Sequence, residues 1–77
     1  MYIFNQERDT IMNTDKCFYL TVENFEVVAR EKNVIYVLGE YDEYETALEV
    51  LRKLAEIIAS NSVQLVYMPD RDGVFKE

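Results

Sequence analysis

Apolar positions in this chain follow two rhythms, and the change between them falls near residue 40. Before that point they come as short β-rich runs broken by polar turns. YIF at 2–4 precedes the polar NQERD, and TIM at 10–12 precedes Asn13-Thr14-Asp15, side chains that bond local backbone and favour turns. KCFYLTV at 16–22, FEVVAR at 25–30 and VIYVL at 34–38 follow, separated by Glu23-Asn24 and by Glu31-Lys32-Asn33. Runs this rich in Val, Ile, Tyr and Phe, and this closely spaced, predict an antiparallel meander of about five short strands, free to curl.

From residue 42 to about 59 the rhythm becomes helical. Ala47, Leu48, Leu51, Leu54, Ala55 and Ile58 fall on one side, with Glu45, Glu49, Arg52, Lys53 and Glu56 mostly on the other. Val50 and Ile57 widen the stripe, so the helix should lie flat on a sheet. Glu49–Lys53 and Arg52–Glu56 are spaced to pair across one turn. Ser60-Asn61-Ser62 ends the helix, VQLVYM at 63–68 returns as a last short strand, and Pro69 stops it. The expected fold is α+β: a single domain over 1–68 with one amphipathic helix packed on the meander. PDRDGVFKE at 69–77 is then a turn and a frayed tail.

Alternation within the strands poses a covering problem. Phe18, Leu20 and Val22 share one face, leaving Cys17, Tyr19 and Thr21 on the other; Phe25, Val27 and Ala29 alternate with Glu26, Val28 and Arg30. VIYVL is apolar on both faces. One helix covers one face of a sheet. The second face, with Tyr19, Val28, Ile35 and Val37, is closed either by the N-terminal strands curling over it or by a second copy in a homodimer. Left open, such a patch is unusual for a monomer.

Composition narrows the class. At 77 residues there is room for one core, and two glycines with one proline are too few for a loop-dominated chain. The start, MYIFNQERD, lacks the basic and apolar regions of a signal peptide, and no apolar run is long enough to span a bilayer. One cysteine permits no intrachain disulfide. A cytoplasmic protein is expected. The net charge is −7, and residues 38–49 alone carry five acids and no base. Direct nucleic-acid binding and attachment to anionic membranes both need a basic footprint that is missing here. A charged partner should therefore be basic.

Catalytic machinery is sparse. The chain has no histidine, so the commonest general base and metal ligand is missing. Cys17 has no base to activate it and reads as a packed thiol. Gly39 and Gly73 are isolated, which excludes a glycine-rich phosphate loop. Asp70-Arg71-Asp72-Gly73 opens like a calcium loop, but its glycine comes at the fourth position and Phe75 follows where oxygen ligands belong. No catalytic residue, cofactor or metal is expected, and the protein reads as a non-enzyme.

What remains is EYDEYETALE at 40–49. Asp42 suits an N-cap, with Glu45 completing a capping box, and Glu43 and Glu45 complement the positive end of the helix dipole. Tyr41 is placed to pack back on the first turns and Tyr44 to join the core edge. Glu40 and Glu49 fall outside that explanation. Glu40, Tyr41, Glu43, Tyr44, Glu45 and Glu49 are accordingly the expected contact residues for a basic protein surface such as the groove of a nuclease. Arg52 and Lys53 interrupt the acidic row one turn later.

The order of features, NQERDTIMNTD near the start, LGEY before the helix, A-x-x-x-L-x-x-L within it and VYMP near the end, resembles small uncharacterised acidic proteins of bacteriophages and mobile elements of Gram-positive bacteria. The likeness spans nearly the whole chain. It implies an anti-defence context, including inhibitors of the anti-CRISPR kind, and brings no catalytic residues. The functional expectation is a non-enzymatic acidic module that binds and inhibits a host nucleic-acid enzyme or defence protein. The alternative is a homo-oligomeric structural component that assembles through the apolar second face of its sheet.

Overall fold

The computed structural model describes residues 1–16, 19–61 and 63–76. The expected position of Cys17 as a packed thiol, the face assigned to Phe18 and the helix-ending role of Ser62 lie outside those residues. Among the described residues six strands and one helix form an α+β fold: β1 (Tyr2–Phe4), β2 (Ile11–Asn13), β3 (Tyr19–Glu23), β4 (Glu26–Glu31), β5 (Val34–Glu40), α1 (Tyr44–Ser60) and β6 (Leu65–Tyr67). A short 3-10 turn, Thr14–Lys16, links β2 to the segment before β3.

The strands divide between two three-stranded sheets, one ordered β2-β1-β6 and the other β3-β4-β5. The antiparallel meander expected for the N-terminal half is thus split after β2. The reason lies in strand length and pairing. A three-residue hairpin such as β1–β2 is marginal alone, and β1 gains a second ladder by pairing in parallel with β6, Ile3 beside Val66. Ile3 also stands opposite Met12 of β2, so one buried apolar row crosses all three strands.

The second sheet is a regular meander. Two-residue loops, Asn24-Phe25 and Lys32-Asn33, connect its strands, since Glu23 pairs with Glu26 and Glu31 with Val34. The first residue of each loop takes a left-handed backbone, Asn24 at φ 58° and Lys32 at φ 54°, which matches the twist that tight hairpins require. A register shift near Val27 and Val28 leaves Leu38 as the extra residue of β5, and its side chain is buried.

Helix α1 closes the inner faces of both sheets. Ala47, Val50 and Leu54, spaced along one helical face, are fully buried with Val27 and Ala29 of β4, Leu38 of β5 and the Ile3–Met12–Val66 row. Burial of a side chain such as Leu54 stabilises by about 1.5–3 kcal/mol. Leu51, Ile57 and Ile58 are half-buried around that line. The helix stops where Asn61 turns left-handed at φ 54° and its N–H bonds the carbonyl of Ile58 at 3.2 Å.

The segment after β6 is no frayed tail. Met68 and Pro69 are buried, the Gly73 N–H closes a turn on the Asp70 carbonyl at 2.9 Å, and Phe75 packs against the core. Gly73 is required there: at φ 73° a side chain is strained, and a β-carbon would stand 2.7 Å from Cγ2 of Thr46 on α1.

Gln6 joins the two sheets. Its backbone N–H donates to the Leu38 carbonyl at 2.7 Å, and its side-chain amide accepts from the Glu40 N–H at 3.1 Å. The same amide donates to the Glu40 carbonyl at 3.0 Å and to the Pro69 carbonyl at 3.1 Å. Gln6 thereby extends the bonding of β5 and ties it to the loop after β1 and to the segment after β6.

Candidate protein-binding surfaces

The acidic stretch lies where β5 ends and α1 begins. Gln6 fixes the backbone of Glu40, and the Tyr41 N–H bonds the Phe25 carbonyl at 2.9 Å. Tyr41 then turns inward. It is 1% exposed, the largest fully buried side chain, and its hydroxyl donates to the Pro69 carbonyl at 3.0 Å. Burial, with Asp70 nearby, pushes its phenol above the ordinary tyrosine range. The expectation that Tyr41 contacts a partner is corrected: its ring supplies core volume that a chain this short needs, and no surface.

The helix start also differs from the capping reading. The N-cap is Glu43, in extended backbone, and no side chain caps the helix. Asp42 lies one residue too early and is held elsewhere. Arg71, from the turn after β6, donates to Asp42 Oδ1 at 2.7 Å and to Glu40 Oε1 at 2.9 Å. One guanidinium therefore bridges two carboxylates that the chain places on either side of Tyr41. Tyr44, expected at the core edge, is 49% exposed instead. It is the first residue of α1, one turn before Ala47, where the buried line of the helix begins.

Glu43, Glu45 and Glu49 remain on the outer surface of α1 with Tyr44 among them. Among the described residues Glu43 and Glu45 form no ion pair; Glu49 meets Arg52 only at 4.0 Å, one turn on. The expected Glu49–Lys53 and Arg52–Glu56 pairs are replaced by this single loose contact. The structure thus sorts the six expected contact residues into three groups: Glu40, tied to Arg71; Tyr41, buried; and Glu43, Tyr44, Glu45 and Glu49, all open to solvent.

Known families, characterised proteins and solved structures offer no match to this chain. Function must therefore be argued from its surfaces alone.

The second candidate surface is the outer face of the β3-β4-β5 sheet. The N-terminal strands do not curl over it, because they are engaged with β6. Tyr19, Ile35 and Val37 are 51%, 45% and 46% exposed around Val28, which their crowding leaves only 1% exposed. Val28 is thus the floor of this patch, and a partner would meet its neighbours rather than Val28 itself. Beside it Arg30 donates from Nη2 to Glu23 Oε2 at 2.8 Å and from Nε at 3.2 Å, charge-assisted bonds that further favour the charged guanidinium.

Among the described residues no cluster of cysteine or carboxylate side chains is arranged to hold a metal ion, and no helix is long and apolar enough to cross a membrane. Arg71, which holds Glu40 and Asp42, is the contributor to this surface that sequence reasoning missed. Its only local signal is the alternation of charge in Asp70-Arg71-Asp72, which says nothing of carboxylates some thirty positions away.

Proposed function

We propose that this protein is a non-enzymatic binding module that inhibits a basic partner protein, such as a nucleic-acid enzyme of a host defence system, through the face formed by Glu43, Tyr44, Glu45 and Glu49. The observation that carries this reading is the absence of any side-chain cap at α1. Carboxylates at a helix start are usually explained by capping, and here they are free of it. Glu43 and Glu45 keep the dipole benefit, about 0.3–1 kcal/mol each, and retain their full capacity to accept bonds from lysine or arginine. Tyr44 adds an exposed ring, a side-chain type enriched in protein interfaces. The resemblance to small acidic phage and mobile-element proteins supports an inhibitory role in the anti-CRISPR manner.

The test is affinity capture from bacterial lysate with the wild-type chain and with an E43K/E45K/E49K variant. The expected result is a basic protein retained by the wild type, released by raised salt or by added nucleic acid, and lost with the variant. Equal capture by both proteins, or capture insensitive to salt, removes the acidic face from the mechanism.

A second reading rests on the outer sheet face. Exposed Tyr19, Ile35 and Val37 around a buried Val28 form the kind of patch that assembles with a second copy. Sedimentation at micromolar concentration separates the two readings, since a strict monomer excludes assembly through this face.

A further inference from the structure

A cavity of about 450 Å³ opens between the loop after β1, the end of β6 and the C-terminal segment, and none of its lining residues belongs to either proposed interface. Arg8, Tyr67, Asp70, Val74 and Lys76 line it. Its most unusual member is Arg8. This residue takes a left-handed backbone at φ 63°, a conformation that disfavours any side chain with a β-carbon and that turns normally assign to glycine or asparagine.

The loop is built to hold Arg8 in that place. The Asn5 side chain accepts from the N–H groups of Asp9 and Thr10 at 3.0 and 3.1 Å and donates to Asp9 Oδ1 at 2.8 Å. The guanidinium of Arg8 lies 5.7 Å from the Phe4 ring centroid and 5.1 Å from that of Tyr67. One of its nitrogens, Nη1, bonds the Asn5 carbonyl at 2.8 Å. Yet among the described residues, in a chain with fifteen acids, Arg8 forms no ion pair. Asp70, across the same cavity, forms none either, whereas Lys76 is engaged by Asp72 at 3.5 Å.

The cavity therefore presents one positioned cation and one carboxylate that forms no ion pair among the described residues, with Tyr67 and Val74 also in its lining. A polyanion is disfavoured by Asp70 and by the net charge of −7. A simple amine would leave Arg8 unanswered, and a neutral apolar ligand would leave both charges so. We propose that this cavity binds a small zwitterion of the amino-acid class, with its carboxylate on the guanidinium of Arg8, its ammonium toward Asp70 and its side chain against Tyr67 and Val74. Its volume falls in the range of small-ligand sites, and a guanidinium stacked on aromatic rings is already oriented for the planar fork of a carboxylate.

Nuclear magnetic resonance titration tests this, with free leucine and phenylalanine as probes, leucinamide lacking the carboxylate and N-acetyl-leucine lacking the ammonium. Saturable shifts of the Tyr67, Val74 and 70–73 amides are expected with the free amino acids. Each derivative should bind at least about tenfold more weakly, as expected when a charged group in the site loses its partner. Arg8→Asn keeps a residue tolerant of left-handed backbone while deleting the cation, and should weaken binding by a similar factor. Asp70→Asn, on an exposed side chain, provides a second variant should the first disturb the loop. Absence of saturable shifts, equal binding of leucinamide and leucine, or unchanged affinity in the folded variants would overturn the assignment and leave Arg8 a structural residue only.

Discussion

Replacing Gly39 with alanine probes how tightly the two sheets are locked together. A β-carbon at this position would stand 2.6 Å from the Tyr41 hydroxyl oxygen, 3.0 Å from Cζ and 3.1 Å from Cε2. In an open strand the same change would help by about 0.5–1 kcal/mol, because glycine loses more backbone freedom on folding. Here the ring has nowhere to go: it is fully buried, and its hydroxyl is fixed on the Pro69 carbonyl. Overpacking of a filled core costs about 1–3 kcal/mol. Displacing the hydroxyl adds the net value of a hydrogen bond, about 0.5–1.5 kcal/mol. The clash outweighs the entropic gain, and a net destabilisation of about 2–3 kcal/mol is expected. For a domain of this size that lowers the melting temperature by roughly 10 °C or more. Urea denaturation of Gly39→Ala, Tyr41→Phe and the double variant measures it. Removing the hydroxyl relieves the shortest contact, so Gly39→Ala should be about 1 kcal/mol less harmful in the Tyr41→Phe background. A loss below about 0.5 kcal/mol, or strict additivity, refutes the claim that the ring is immobile.

Three further outcomes follow from contacts described above. The Tyr41 phenol titrates above its unfolded value, so its contribution is intact below about pH 10 and declines as pH rises beyond it, by up to about 1.4 kcal/mol per pH unit; denaturation of wild type and Tyr41→Phe from pH 9 to 11 should show the steeper loss in the wild type. Arg71→Ala should lower stability by no more than about 1 kcal/mol, because its ion pairs are exposed, while freeing Glu40 and Asp42 and strengthening capture of a basic partner; weakened capture would contradict the electrostatic reading. Asn5→Ala removes three bonds of a buried side chain and should cost about 1–3 kcal/mol, with amide exchange at Asp9 and Thr10 rising first.

Local patterning revealed more of this fold than of its surfaces. The helix was legible because Ala47, Leu48, Leu51, Leu54, Ala55 and Ile58 repeat at a helical period, although the buried line runs through Ala47, Val50 and Leu54 and leaves Ala55 exposed. The strands of the β3-β4-β5 sheet were legible from their alternation and the polar residues between them, although Phe25, read as the start of a strand, lies in the first loop and is exposed. The division into two sheets was not, because the partner that draws β1 and β2 away lies at the far end of the sequence and carries no local mark. Long-range contacts also decided the candidate site. Tyr41 reads as a surface aromatic among acids until Pro69 arrives to bond it, and Asp42 reads as a cap until Arg71 takes it. Glu43, Glu45 and Glu49 have no such distant claimant among the described residues and stay exposed, and Tyr44, read from the sequence as a core-edge ring, is exposed with them.

The parallel ladder between β1 and β6 also sets an order of events in folding. Tyr2 is the partner of Leu65, so β1 leaves the ribosome well before the strand it pairs with in parallel. In the interval the β3-β4-β5 hairpins and α1 close short loops and gather their own core, whereas β1 holds only a three-residue hairpin with β2, too little to persist alone. Docking of residues 65–67 onto β1 closes the longest loop of this fold and is expected to be the slow step; it joins the Tyr41 hydroxyl to the Pro69 carbonyl and Arg71 to Glu40 and Asp42. A nascent chain would expose its acidic stretch unclamped, and acquire the charge pattern of the finished surface only as that last strand arrives.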